Sequence, residues 1–224
     1  MELRWELMID SLRPLLKGTV ITLELTAGAV AMGIVIGLFM ALMRLSNSRI
    51  LRGFAIAYID FFRGTPLLVQ ILMVYFAVPQ LLNFQIPDNY QFVAGILAMG
   101  LNSGAYIAEI FRAGIQSIDK GQGEAARSLG MTHGQAMRHV ILPQAFKRVI
   151  PPLGNEFIAL LKDSSLVSII ALQDLMYTGK LIVSRTYQPF VIYLEVALFY
   201  LVMTLILSRF VNYTERRLGK SDNR

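Results

Sequence analysis

Residues 18–43, GTVITLELTAGAVAMGIVIGLFMALM, decide the fold class, because these 26 residues carry a single charged side chain, Glu24. A helix needs about 20 mostly apolar residues to cross the hydrocarbon core of a bilayer. Gly28, Gly33 and Gly37 recur within the stretch at helical spacing. Small residues let neighbouring membrane helices approach closely. The stretch therefore predicts a membrane-spanning helix that packs tightly against another helix.

Four more stretches have the composition of membrane spans. They are residues 54–82, 91–108, 149–161 and 189–208. Pro66 and Pro79 are expected to bend or bound the second span, because proline lacks a backbone N–H and clashes with the preceding turn. The fourth span is the weakest, since Pro151, Pro152 and Gly154 crowd its start. The chain is thus predicted to be an all-α polytopic membrane protein of about five spans.

Two segments between the spans predict irregular structure. Residues 81–90, LLNFQIPDNY, contain the turn formers Asn83, Pro87 and Asp88 and predict a short loop. Residues 164–173 are uncharged but too short to cross a bilayer alone. They predict a half-inserted or broken segment, which membrane proteins tolerate where protein or water covers the backbone.

The composition agrees with a membrane location and limits the chemistry. Only 16% of the residues are charged, against roughly 25% in soluble domains. No linker divides the chain, so we expect one domain over residues 1–224 with its core at about 18–210. There is no cysteine, and His133 and His139 lie in no metal-binding pattern, so no metal site is expected.

The basic residues predict the orientation of the chain. Fourteen of the 21 Lys and Arg residues fall on one side of the predicted spans, six on the other, and Arg63 near a boundary. The fourteen are Arg44, Arg49, Arg52, the six from Arg112 to Arg148, Arg209, Arg216, Arg217, Lys220 and Arg224. Short cytoplasmic loops carry an excess of Lys and Arg. We therefore expect the N-terminus outside and the C-terminus in the cytoplasm, with no nucleic-acid role for the net charge of +6 and no cleaved targeting peptide.

The longest polar connection, about residues 112–145, contains GQGEAARSLGMTHGQAMRHVILPQA at residues 121–145. Residues 124–129 predict a short helix with Glu124 in its first turn, where the helix dipole favours a carboxylate. Gly130 suits the left-handed residue that ends a helix. Thr132 and Gln135 form a capping box for a second helix, which Pro143 would bend. Such a compact unit suits docking to another protein, although it could also simply connect two spans.

The spacing within this segment resembles the EAA loop of ABC importer permeases. Glu124, Ala125 and Ala126 are followed after three residues by Gly130, and after ten more by Ile, Leu and Pro at 141–143. The family form ends in I-x-L-P after about nine residues, so this sequence departs from it slightly. The resemblance implies that Glu124, Ala125, Ala126, Gly130 and Pro143 couple the chain to an ATP-binding subunit.

Three further segments are similar to the polar amino acid branch of that family. They are FFRGTPLLVQ at 61–70, NSGAYIAEIFRAG at 102–114 and KDSSLVSI at 162–169. The resemblance implies a type I ABC importer permease fold in a bacterial cell membrane. The implied partners are two ABC ATPase subunits, a second permease copy, identical or similar, and an extracytoplasmic amino-acid-binding protein. The sequence has no GxxxxGK[ST] loop, so ATP and magnesium are expected on the partner and no cofactor on this chain.

Ionisable and hydroxyl side chains at membrane depth are the candidates for substrate binding, because their burial in lipid is costly without a function. The candidates are Glu24, Arg63, Ser103, Glu109, Lys162, Asp163 and Ser164. A free amino acid is a zwitterion, so Arg63 is expected at its carboxylate and Glu109 or Asp163 at its ammonium. Glu24 lies outside the segments that resemble the family, and it suggests a cationic substrate such as arginine, lysine or histidine.

Simpler interpretations remain for several of these residues. Arg63 could pair only with Asp60, Lys162 and Asp163 could mark a solvated boundary, and Glu195 could make an interhelical hydrogen bond. A passive amino acid or cation channel would use the same acids but has no need of a structured docking segment. An intramembrane enzyme is disfavoured because neither histidine lies within a span.

Overall fold

The computed structural model describes residues 4–83 and 85–219, and within these residues the ordered elements are all helical. The helices are α1 (Leu7–Leu45), α2 (Arg49–Gly64), α3 (Leu67–Leu72), α4 (Val78–Leu82), α5 (Tyr90–Gln116), α6 (Lys120–Ser128), α7 (His133–Ala136), α8 (Leu142–Asp163), α9 (Leu175–Thr186) and α10 (Pro189–Gly219). Two π-helical turns, Met73–Ala77 and Met137–Ile141, join α3 to α4 and α7 to α8, and a 3₁₀ helix, Ser164–Ile170, follows α8. Lys220 and Arg224, which belong to the predicted basic side, lie outside the described residues.

By length and composition, α1, α5 and α10 can each cross a membrane, and two bent helix pairs raise the number of spans to as many as five. α1 contains predicted span 18–43 and starts earlier, at Leu7. α5 and α10 likewise contain the predicted third and fifth spans and extend beyond them. The predicted all-α architecture with about five spans is confirmed.

The glycines of α1 lie against α5, as the sequence predicts. A β-carbon added at Gly28 would lie 2.9 Å from a side-chain carbon of Ile96, and one at Gly33 would lie 3.1 Å from Ser103. At Gly37 it would lie 2.7 Å from Ile107. The two helices are therefore in close contact along this stripe, and a larger residue would require the neighbouring side chain or helix to move.

The second predicted span is bent at Pro66, as the sequence predicts, because the chain turns by 103° between α2 and the helices that follow. Thr65 is extended, and Pro66 begins the turn into α3 without a backbone N–H to donate. The end of α2 leaves carbonyl groups without helical partners. The Gln70 side chain donates to the Phe62 and Thr65 carbonyls at 3.0 and 3.1 Å, and Asn102 Nδ2 donates to Phe62 at 3.1 Å. The amide groups of Gln70 and Asn102 therefore supply hydrogen bonds to the carbonyl groups at this break.

The fourth span differs from the prediction at its start and agrees at its end. α8 begins at Leu142 and runs through Pro151 and Pro152 without a break. The predicted broken segment is confirmed, since a 3₁₀ helix ends at left-handed Ala171 and a bend of 49° leads into α9. Asp174 caps α9 by accepting a hydrogen bond from Tyr177 N at 2.8 Å.

The predicted helix, turn, helix unit is present between α5 and α8. Gly130 has the left-handed backbone (φ +86°) that suits glycine, and Thr132 and Gln135 form the capping box. One detail is wrong: α6 begins at Lys120, so Glu124 lies beyond its first turn and gains little from the helix dipole. Pro143 does not break the helix, because the π-helical turn Met137–Ile141 precedes it.

Candidate functional site

A cavity of about 560 Å³ lies where α2, α5 and α8 meet, beside the break at Pro66. Its charged and polar lining comes from Arg63, Thr65, Asn102, Tyr106, Glu156 and Asp163. The 103° turn after α2 leaves Arg63 at the end of that helix, next to the cavity. One guanidinium and two carboxylates thus share a single space within the predicted membrane region.

The Arg63 side chain lies at this cavity and packs against an aromatic ring. Its guanidinium carbon lies 5.3 Å from the centre of the Tyr106 ring, a cation–π distance. Among the described residues, its ion-pair partner is Glu109, at 4.0 Å, and not Asp60. The side chain keeps 44% of its surface exposed, so its N–H groups remain accessible from the cavity.

Glu109 is the centre of an arginine cluster. Its carboxylate lies 2.7 Å from Arg44 and 2.8 Å from Arg112, in addition to the longer contact with Arg63. It lines a second cavity of about 440 Å³, which shares Arg63, Tyr106 and Glu156 with the first. Glu109 thus lies close to Arg63 but is already neutralised by neighbouring guanidinium groups.

The predicted hydroxyl groups are buried and already bonded. Ser103 is fully buried and donates to Glu156 Oε1 at 2.9 Å, which joins α5 to α8. Ser164 is also fully buried and donates to the Leu161 carbonyl at 2.7 Å. The two serine side chains therefore hold neighbouring groups in place and do not line the cavity.

Two predicted charges lie elsewhere. Lys162 is exposed and does not line the cavity, although its neighbour Asp163 does. Glu24 lines a separate cavity of about 420 Å³ with Asp88, Asn89 and Gln173. Arg63 therefore shares the first cavity with Asp163 and the second with Glu109, whereas Glu24 and Lys162 lie apart.

Three lining residues were not among the predicted substrate ligands. Asn102 and Tyr106 lie within the segment NSGAYIAEIFRAG, and Glu156 is an acid within a span. Each therefore had a signal in the sequence. Pro66 also signalled the bend after α2, but nothing in the sequence indicated the 103° angle that places these residues beside Arg63. Glu195, by contrast, forms an interhelical hydrogen bond with Ser11, as its simpler interpretation predicts.

The segment between α5 and α8 presents a surface at one end of the molecule. Glu124, Ala125 and Gly130 are exposed, and Leu129 is 82% exposed. Ala126 is only 3% exposed and packs inward. The segment thus offers a small surface with two exposed acids, Asp119 and Glu124, and an exposed leucine at its turn.

Behind this surface, the ends of α5 and α8 are tied together. Arg148 Nη1 donates to the Ser117 carbonyl at 2.5 Å. A β-carbon at Gly114 would lie 2.3 Å from the Val149 side chain, so the two helices are in close contact there. The segment is therefore mounted on the same two helices that line the cavity.

Comparison with known proteins identifies the class to which this geometry belongs. Residues 33–220 match the family described as "Binding-protein-dependent transport system inner membrane component". The chain is 45% identical over 215 residues to the probable glutamine ABC transporter permease protein GlnM of Bacillus subtilis, which covers 96% of this chain and 98% of that protein. It is 40% identical over 222 residues to the arginine transport system permease protein ArtQ of the same organism, covering 99% and 100%.

Solved structures of ABC transporters share the fold of this chain. One titled an amino acid ABC transporter with histidines is 46% identical, with a TM-score of 0.92 over 97% of this chain and 100% of that one. A methionine ABC transporter, MetNI, shares the fold at 20% identity with a TM-score of 0.78, covering 93% and 98%. The protein is therefore a membrane-spanning transport component. It belongs to the binding-protein-dependent transport system inner membrane component family, and its resemblance to ABC importer permeases is confirmed.

Proposed function

We propose that this chain is the permease subunit of an importer for basic L-amino acids, driven by a separate ATPase. The observation that carries the proposal is the cavity that holds Arg63 with Glu156 and Asp163. The relatives named for glutamine and arginine transport support amino acids as the substrate class.

The charges of the cavity complement a cationic amino acid. The planar guanidinium of Arg63 pairs with the substrate carboxylate, for which its fork geometry is suited. Asp163 accepts hydrogen bonds from the α-ammonium, and Glu156 accepts them from the cationic side chain. With such a substrate bound, the cavity contains equal numbers of positive and negative groups. Neutral glutamine would leave one carboxylate of the cavity without a cationic partner.

Substrate competition in proteoliposomes tests this assignment. The chain is reconstituted with its ATPase and binding protein, and the uptake of arginine is compared with that of glutamine. Glu156→Gln should reduce the preference for arginine roughly 10- to 100-fold, the value of one hydrogen bond to a charged group. Asp60→Asn, a neutralised acid one turn from Arg63, serves as the control. An unchanged ratio in Glu156→Gln would contradict the proposal.

The remaining predicted charges take secondary roles in this proposal. Glu109 holds Arg63 and Arg44 in place, and Lys162 lies at the boundary outside the cavity. Glu24 attracts the cation into the separate outer cavity before it reaches Arg63. Glu24→Gln should therefore raise the arginine concentration needed for half-maximal uptake while leaving that for neutral glutamine unchanged.

We further propose that the exposed surface of α6 docks the ATPase, with the N-terminus outside and the C-terminus in the cytoplasm of a bacterial cell. Glu124, Ala125 and Gly130 contact the partner, while Ala126 and Pro143 shape the segment. Two ATPase subunits bind ATP and magnesium, a second permease copy completes the pathway, and an external binding protein delivers substrate.

ATPase measurements test the coupling. Glu124→Arg should abolish the stimulation of ATP hydrolysis by loaded binding protein without unfolding the chain, because the substitution reverses an exposed charge. Arg127→Gln, which changes a charge on the same helix, is the matched control. Amino acid flux without any ATPase would instead support a passive channel.

A further inference from the structure

An apolar groove of about 390 Å³ lies between α1, α8 and α10, and it shares no lining residue with the charged cavities. Its walls include Val30, Ile34, Ile150, Phe157, Leu207 and Phe210. Thr214 supplies a hydroxyl at one end, but this group donates to the Val211 carbonyl at 2.7 Å. The groove therefore suits an aliphatic chain.

Helix geometry places a basic residue of each of two helices beyond one end of the groove. Gly154 of α8 is packed against Val211 of α10, where an added β-carbon would lie 2.4 Å from the valine side chain. Consecutive spans cross a membrane in opposite directions, so seven residues back along α8 and seven forward along α10 reach the same level, about 10 Å away. Seven residues before Gly154 is Lys147 on α8. Seven residues after Val211 is Leu218 on α10, next to Arg217.

Both basic residues lie on the helix faces that form the groove. Lys147 precedes Ile150 by three residues, and Arg217 follows Thr214 by three, which is the spacing of neighbours on a helix surface. Arg217 also stacks on Tyr213, with 5.1 Å between its guanidinium carbon and the ring centre. The two groove-lining faces therefore continue into a pair of cations.

Aromatic residues indicate that this end lies at the headgroup level of the bilayer. Phe146, beside Lys147, is 64% exposed, and Tyr213 is 53% exposed. Aromatic side chains, tyrosine and tryptophan above all, collect at membrane interfaces, where their apolar rings and polar edges are both accommodated. The apolar groove thus begins beneath the headgroups and runs toward the hydrocarbon.

We propose that this groove binds one acyl chain of an anionic phospholipid, with Lys147 and Arg217 at its phosphate and negatively charged headgroup. Basic pockets between membrane helices recognise such headgroups, and each basic side chain near the surface contributes about a fivefold increase in affinity. A zwitterionic lipid would fill the same groove but would gain less from the two cations. The site is separate from the proposed amino acid site and does not depend on it.

Fluorescence quenching by brominated lipids tests the proposal on the full-length chain in vesicles. The sequence has a single tryptophan, so Trp5→Phe with Phe210→Trp places the only indole at the groove. Phosphatidylglycerol with dibrominated chains should quench this indole more strongly than dibrominated phosphatidylcholine at equal mole fraction. Phe157→Trp supplies a second, deeper reporter if the first variant does not fold.

Charge substitutions then decide between specific binding and simple lipid contact. Lys147→Gln or Arg217→Gln should each lower the preference for phosphatidylglycerol about fivefold. Arg216→Gln, the same change on a different face of α10, should leave it intact. Equal quenching by both lipids would overturn the proposal. So would the absence of quenching by either lipid, which would mean that a protein surface, such as a second copy of this chain, covers the groove.

Discussion

Replacing Gln70 with leucine should destabilise the chain. It should also displace Arg63, which lies at the end of α2 next to the break that Gln70 holds. Gln70 is 4% exposed and makes four hydrogen bonds at the break between α2 and α3. Its amide donates to two carbonyls and to the Thr65 hydroxyl, and its oxygen accepts from Asn102 at 3.0 Å. Leucine has a similar volume but can make none of these bonds.

The magnitude follows from the partners that are left behind. Hydrogen bonds between side chains in membrane proteins contribute about 0.6 kcal/mol each on average. The Phe62 carbonyl keeps its bond from Asn102, but the Thr65 carbonyl loses the side-chain donor that satisfies it here, at a cost of about 1–3 kcal/mol. We therefore expect Gln70→Leu to lower the free energy of unfolding by about 3–5 kcal/mol.

Unfolding in mixed micelles by increasing sodium dodecyl sulfate, followed by circular dichroism, measures this change. Gln80→Leu, on the exposed surface of α4, is the control and should change stability by less than about 0.5 kcal/mol. The variant Asn102→Ala, combined with Gln70→Leu, should be less destabilised than the two single changes added together, because they share a bond. Equal stability of the Gln70 and Gln80 variants would refute the assigned role of the amide.

Three further changes probe the packing and the docking segment. Gly37→Ala should destabilise the chain by about 1–3 kcal/mol in the same assay, because its β-carbon meets Ile107 and the Ala108 backbone, whereas Gly53→Ala meets open space. Gly130→Ala should loosen the turn after α6 by about 1–2 kcal/mol, seen as faster proteolysis there, because alanine resists the left-handed backbone. Thr132→Ala should weaken the start of α7 by about 1 kcal/mol in the same proteolysis assay, through loss of its cap.

Much of the fold could be predicted because membrane spans depend on local composition. Long apolar stretches specify α1, α5 and α10, and the glycine spacing of α1 specifies a close neighbour. The capping box and Gly130 are equally local, since each involves residues within a few positions. Such features need no knowledge of tertiary contacts.

The direction of the chain after α2 could not be predicted in this way. Pro66 signals a bend, but the 103° angle depends on Gln70 and on Asn102, which comes from a helix 32 residues further along. The same limit applies to the candidate site. Arg63, Glu109 and Asp163 were identified as charges at membrane depth, but the bend that places Arg63 beside the other two depends on these contacts between helices.

Hydrogen bonds between the helices that line the cavity restrict the routes by which a substrate leaves it. Ser103 joins α5 to α8 through Glu156, and Asn102 joins α5 to α2 through the Phe62 carbonyl. These bonds hold the three lining helices of one chain together, so they oppose any opening between those helices.

The cavity is nevertheless open on one side of the chain. Arg63 is 44% exposed there, and Asp163 is exposed as well. Charged side chains that faced lipid would be costly, and such groups normally face another protein surface or water. We therefore infer that a second permease copy closes the open side, and that access to the substrate changes by movement between the two copies rather than within one. The segment carrying Glu124 is mounted on α5 and α8, so ATPase subunits docked there as proposed would move each copy as a unit.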